Sequence, residues 1–129
     1  MNIPSDLKYT EQDEWIKVED DIVTMGISDF AQNQLSDIVY VEILVSEGER
    51  VNKGDSCATI ESVKAAADVY IPVSGEIVAA NEELADTPEV VNSDPYGEAW
   101  MVKIEMSDPS ELEQLMDSVT YTKFIEEKE

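Results

Sequence analysis

Between Glu14 and Met106 the chain repeats one local pattern, a short run of strand-like residues followed by a turn. Glu14–Glu19 alternates polar and apolar side chains, Asp20-Asp21 interrupts, and Ile22–Ile27 resumes. That two-residue period predicts a β-hairpin. Ile38–Val45 is β-branched and apolar and reads as a buried strand. Ser56–Glu61 sets Ala58 and Ile60 on one face, and Asp68–Val73 does the same for Val69, Ile71 and Val73. Pro72 suits a strand end, where no ladder donor is lost. Glu76–Ala80 and Trp100–Met106 complete the series. Between them stand turn residues: Gly48 and Gly54 amid charged filler, Ser62–Ala66, Ser74-Gly75 and Asp94-Pro95-Tyr96-Gly97. So many short strands with such short connections predict a mainly β fold.

Helices are minor. Ser28 is placed to cap a short helix over Asp29–Leu35, with an acid in its first turn. Asn81–Asn92 is polar and predicts short helical turns. Ser107-Asp108-Pro109-Ser110-Glu111 opens a helix whose apolar stripe is Leu112, Leu115 and Met116. A second short helix carries Tyr121, Phe124 and Ile125 and is expected to fray into Glu126–Glu129. No linker or low-complexity tract divides the 129 residues. We expect one domain over 1–129, with a core of about 8–106 and a helical segment of about 107–127.

Composition excludes much chemistry. The chain has no histidine, which removes Ser-His-Asp and Cys-His triads, histidine acid–base work and His-ligated metal; no metal site is expected. One cysteine, Cys57, allows neither an internal disulfide nor a Cys-x-x-Cys pair, and reads as a small buried strand residue. Five scattered glycines form no phosphate-binding loop. With 30 acidic against 8 basic side chains the net charge is −22, which repels nucleic acid and anionic membranes. Such acidity fits either a salt-rich cytoplasm or docking on basic partners. Neither a signal-like start nor a membrane-length apolar run is present, so a cytoplasmic protein of prokaryotic type, and a monomer, is the expectation.

One turn carries chemistry. Glu61-Ser62-Val63-Lys64-Ala65 places a lysine at a tight strand-to-strand bend, with Val63, Ala65, Ala66 and Ala67 adding no bulk or rival charge. Such an amine stays protonated and is a poor Schiff-base nucleophile. Free access and fixed geometry instead suit a residue that another enzyme modifies.

Six blocks in order resemble the H-protein family of the glycine cleavage system: Asp13-Glu14-Trp15, Gly26–Gln32, Glu61–Ala65, Pro72–Glu76, Val91–Gly97 and Trp100. The resemblance runs from about Lys8 to about Phe124. It implies a lipoyl/biotinyl-type hybrid barrel-sandwich of two quasi-symmetric halves, with the attachment lysine at a hairpin tip. Gly48 and Gly75 stand where lipoyl and biotinyl domains place glycines, 16 residues before and 11 after that lysine; glycine there supplies turn conformations that side chains resist.

The resemblance also implies a non-catalytic carrier. Lipoate would be joined by an amide to Lys64. The arm would accept an aminomethyl group at glycine decarboxylase (P protein) and deliver it to the tetrahydrofolate-dependent aminomethyltransferase (T protein). Dihydrolipoamide dehydrogenase (L protein) would then reoxidise it. Glu14 and Asp68 match the family's cleft acids for the cationic cargo, and Glu61 is the candidate for recognition by the lipoate-attaching enzyme. The chain departs from many members in having Asp13 where they carry histidine, no histidine in Ser28–Leu35, and Ala99 before Trp100. Methionines flank the lysine in biotin domains, whereas Val63 and Ala65 flank it here. A nearer alternative is an H-like protein that relays lipoyl or octanoyl groups to other enzymes. From another class, an acidic interaction module with no prosthetic group is also compatible with the residues.

Overall fold

The computed structural model describes residues 1–128. In chain order the elements are β1 (Lys8–Tyr9), β2 (Glu14–Glu19), β3 (Ile22–Ile27), α1 (Asp29–Leu35), β4 (Ile38–Ile43), β5 (Arg50–Val51), β6 (Ser56–Ser62), β7 (Ala66–Tyr70), β8 (Gly75–Ala80), α2 (Val90–Ser93), β9 (Val102–Met106) and α3 (Ser118–Lys128). Two 3₁₀ turns, Glu82–Ala85 and Pro109–Gln114, complete them. Six strands form one sheet in the order β1-β2-β3-β9-β8-β5, and three form the other in the order β4-β6-β7. The fold is thus mainly β, with two sheets, short helices and a C-terminal helix, and the sheets are unequal. Among the described residues, no helix is long and apolar enough to cross a membrane.

Alternation buries one side of each strand. Ile16, Val23, Met25, Ile77 and Ile104 from the large sheet meet Val41, Ala58, Ile60 and Val69 from the small one. A second cluster, of Leu7, Tyr9, Trp15, Phe30, Tyr121 and Ile125, docks α3 on the N-terminal segment. There the Tyr9 and Tyr121 rings stack with centroids 4.5 Å apart. Burial holds the Tyr121 phenol well above its ordinary pKa, so it stays protonated and donates to Asp13 Oδ1 at 2.9 Å.

Several expected elements differ in detail. β4 buries only Ile38 and Val41, while Val39 and Tyr40 are exposed, because only one face of the small sheet is covered. A register irregularity between Ile38 and Tyr40 turns two successive side chains outward. The last strand begins at Val102, not Trp100, and β7 ends at Tyr70, before Val73. Pro109–Gln114 winds as a 3₁₀ turn capped by Asp108, whose side chain accepts from Ser110 N; no α-helix forms there. α3 does not fray at Glu126, since Lys128 Nζ reaches Asp13 Oδ2 at 3.1 Å; Glu129 lies outside the described residues.

The two glycines that flank the lysine serve different needs. Gly48 has φ of +90°, a left-handed turn conformation. Gly75 has no such φ; it opens β8 against Met106, and a Cβ there would meet the Glu105 carbonyl oxygen at 2.0 Å. Gly75→Ala must therefore push β8 off β9. It is expected to lose about 2 kcal/mol by urea unfolding, in the range for overpacked interiors.

Candidate functional site

The apex of the β6–β7 hairpin is built by one hydroxyl. Ser62 Oγ accepts from the N–H groups of Lys64 at 3.1 Å and Ala65 at 2.9 Å. It also donates to the Ala65 carbonyl at 3.1 Å, and Ser62 N–H donates to the same carbonyl at 2.7 Å. These bonds replace the ladder that must stop where the chain reverses. Val63, Lys64, Ala65 and Ala66 are all exposed. The Lys64 ammonium makes no ion pair among the described residues, where the two pairs are Lys17–Glu19 and Lys128–Asp13. Its one hydrogen bond runs from Nζ to the carbonyl of Gln34, at 3.3 Å.

Glu14 sits differently from the other acids. It is 1 % exposed. Oε1 accepts from Thr10 Oγ1 at 2.9 Å, and Oε2 accepts from the N–H of Tyr70 at 2.7 Å. Tyr70 lies on β7, an edge strand, so Glu14 satisfies a backbone donor that has no neighbouring strand to receive it. Burial pushes the Glu14 carboxyl up to about 7, against the two hydrogen bonds that favour its charged form. The buried Cys57 thiol is pushed up to about 12, chiefly by burial and further by the Glu14 charge, so it is no nucleophile.

Glu14 forms part of the wall of an open cavity of about 640 Å³. Its polar lining includes Thr10, Gln12 and Lys53, and its apolar lining is Tyr70, Ile71, Pro72 and Leu115. Lys53 Nζ is tied to the side-chain oxygen of Gln114, joining the turn after β5 to the 3₁₀ segment. One buried carboxylate beside apolar walls can receive a cation carried on an apolar stem.

The structure brings some of the sequence-derived candidates together and separates others. Glu14 meets β7 at Tyr70. Asp68 is exposed on the same strand, opposite Thr59, and is not in the cavity wall. Glu61 is exposed on β6, paired with Tyr40 and Ala66. The charges of Glu42 first and Glu61 after it raise the Tyr40 phenol. Sequence reasoning missed Thr10, Lys53, Gln114 and Leu115, which come from three separate segments and carry no motif. The cavity's depth at Glu14 was equally invisible, since an alternating strand does not say which of its polar residues is covered.

The family model described as Glycine cleavage H-protein matches residues 7–128. The chain is 52 % identical over 123 residues to the probable glycine cleavage system H protein of Aeropyrum pernix, covering 95 % of this chain and 85 % of that one. It is 48 % identical over 129 residues to the glycine cleavage system H protein of Anaeromyxobacter sp. (strain K), covering 100 % of both. The crystal structure of a glycine cleavage system H protein from Mycobacterium marinum superposes with a TM-score of 0.85 at 33 % identity, over 94 % of this chain and 97 % of that one. With matches of that length and one fold throughout, this chain belongs to the glycine cleavage H-protein family.

Proposed function

We propose that the protein is the lipoyl carrier of a glycine cleavage system, acylated on Lys64. It would shuttle the aminomethyl group of glycine from glycine decarboxylase to the aminomethyltransferase, and then present the arm to dihydrolipoamide dehydrogenase. The observation that carries this reading is the exposed Lys64 amine, without an ion pair among the described residues, at the apex of a hydrogen-bonded bend in a chain of this family. When bound, lipoate supplies a dithiolane that can be reduced and can carry a one-carbon unit. The chain's own part is to hold the amine out, to raise its effective concentration at each enzyme by tethering, and to shelter the cargo.

The residues fit the group. β7 runs four residue steps from Ala66 to Tyr70, about 13 Å at the usual strand rise. A lysine acylated by an eight-carbon chain has about a dozen bonds and reaches roughly 15 Å. Such an arm laid along β7 passes Asp68 and ends near Glu14. We assign Glu14 to the cationic end of the cargo and Asp68 to the approach. Glu61, exposed three residues before Lys64 on β6, is the recognition residue for the lipoate-attaching enzyme. A buried carboxylate in a cavity has a use in carrying a cation and none in relaying lipoyl groups, which favours the carrier over the relay.

Peptide mapping by mass spectrometry of protein purified from its native host tests the reading. A lipoyl increment confined to the peptide containing Lys64 is the expected result. An unmodified Lys64 in that source overturns it.

A further inference from the structure

We propose that Asn92 is a positioning residue for Lys64: by holding Ser36 in its strained conformation it fixes the C-terminal turn of α1 so that the Gln34 carbonyl receives an N–H from the Lys64 nitrogen, both as the free ammonium and as the acyl amide. The inference rests on Lys64 being the acylated residue and adds what aims it.

The connector between α1 and β4 touches the hairpin tip twice. Lys64 Nζ donates to Gln34 O at 3.3 Å, and Val63 N–H donates to Asp37 O at 3.0 Å. Between those two carbonyls stands Ser36, with φ 68° and ψ −151°. That region is close to glycine-only, and a side-chain-bearing residue persists there only where its surroundings impose it. The imposing group is Asn92, on α2. Its Nδ2 donates to the Ser36 carbonyl and to Gln32 Oε1, each at 2.9 Å. Its Oδ1 accepts from Ile38 N–H, also at 2.9 Å. Both amide donors are used, and the chain is gripped on the two sides of Ser36 at once. Ser36 N–H closes the helix by donating to Gln32 O at 3.0 Å.

The acceptor is suited to both states of the lysine. Carbonyls of the last helical turn lack intrahelical partners and carry partial negative charge. A lysine ammonium has three N–H bonds, and the secondary amide made by acylation keeps one. The hydrogen bond to Gln34 O can therefore survive loss of the charge, giving the arm a fixed root. Asn92 thereby gains a role within the run Val91–Gly97, and the α1–β4 connector gains a reason for its strain.

The test places Nε-acetyl-lysine, with ¹⁵N in its side chain, at position 64 by nonsense suppression, so no lipoate-attaching enzyme is needed. The hydrogen-exchange rate of the side-chain amide is read by NMR in this protein and in a short peptide of the same sequence. Exchange about five-fold slower in the protein is expected, the size of one modest hydrogen bond. Asn92→Asp removes both donors and is expected to return the rate to within about two-fold of the peptide, whereas Ser36→Gly adopts the same φ and ψ without strain and is expected to keep the parent's protection. Asn92→Asp should lower Tm while Ser36→Gly holds or raises it; core backbone amides read in the same spectra should stay protected in both, so exchange that speeds at position 64 alone reports aim and not stability. No slowing in the parent, slowing that survives in Asn92→Asp, or protection lost in Ser36→Gly overturns the proposal. Native protein lacking lipoate on Lys64 would instead overturn the carrier reading and leave the exchange result standing.

Discussion

Lys64→Arg is expected to abolish carriage while leaving the fold intact. With glycine decarboxylase, aminomethyltransferase and dihydrolipoamide dehydrogenase supplied, glycine-dependent turnover should fall by at least about 10³-fold, the scale of effective concentration that a tether provides. Arginine keeps the positive charge and can still donate to Gln34 O. Its guanidinium remains protonated at any working pH, however, and cannot be acylated in place of an amine. Because Lys64 is exposed and free of ion pairs among the described residues, Tm should shift by no more than about 1 °C. Turnover within about ten-fold of the parent would remove Lys64 from the reaction altogether.

Glu14→Gln is expected to stabilise the protein at alkaline pH and to weaken its hold on cationic cargo. Burial raises the Glu14 carboxyl from its ordinary 4.5 to about 7. Between those values the folded protein keeps a proton that the unfolded chain has released. The stability linked to this group is therefore full below about pH 4.5, falls as pH rises, and levels off above about 7. The total is up to about 3 kcal/mol. Glutamine has nearly the same shape and no charge to desolvate. The Tm difference between variant and parent should thus start near zero at about pH 4.5 and grow toward pH 8, reaching on the order of 10 °C. Titration of the remaining acids is common to both proteins and cancels in the difference. Parallel Tm–pH curves would show that Glu14 is not buried as described.

On the proposed carrier reading, the same group is expected to set the pH response of the loaded state. A cation pairs with the ionised carboxylate, so binding lowers the Glu14 pKa and expels a proton. Retention of cargo should strengthen as pH rises through about 7 and lose that dependence in Glu14→Gln. On that reading, the stability given up at neutral pH by holding a carboxylate out of water is the condition for receiving a charged guest.

Local chemistry was legible in the residues themselves. The hairpin of β2 and β3 follows from strict alternation around Asp20-Asp21. Ser28 caps α1 as its side chain predicts, accepting from Ala31 N–H at 3.2 Å. Lys64 stands at a bend because Ser62 and small residues can close one there. Expectations failed where a distant partner decides. The Ser107–Met116 stretch carries helix-start signals, yet Ser74 N–H and Oγ both donate to Glu111 from 37 residues away, and the segment winds as 3₁₀. Ile38–Val45 looks wholly buried because it is apolar, but half of it faces outward from a sheet covered on one side. Gly75 looked like a turn residue, and its requirement is set by Glu105 on a neighbouring strand.

The sequence by itself determined the strand succession, the exposed amine on its tight bend and, through six ordered blocks, the family. Each of these depends on residues within a few positions of one another, where side-chain period and turn stereochemistry act directly on the backbone. Only the tertiary structure decided that Glu14 is the buried acid among the described residues, that Asp68 stands outside the cavity, and that Asn92 grips the connector beneath Lys64. Those outcomes turn on which groups lose water and which gain a hydrogen bond when segments 54 to 60 residues apart are packed together, and no local pattern encodes that exchange.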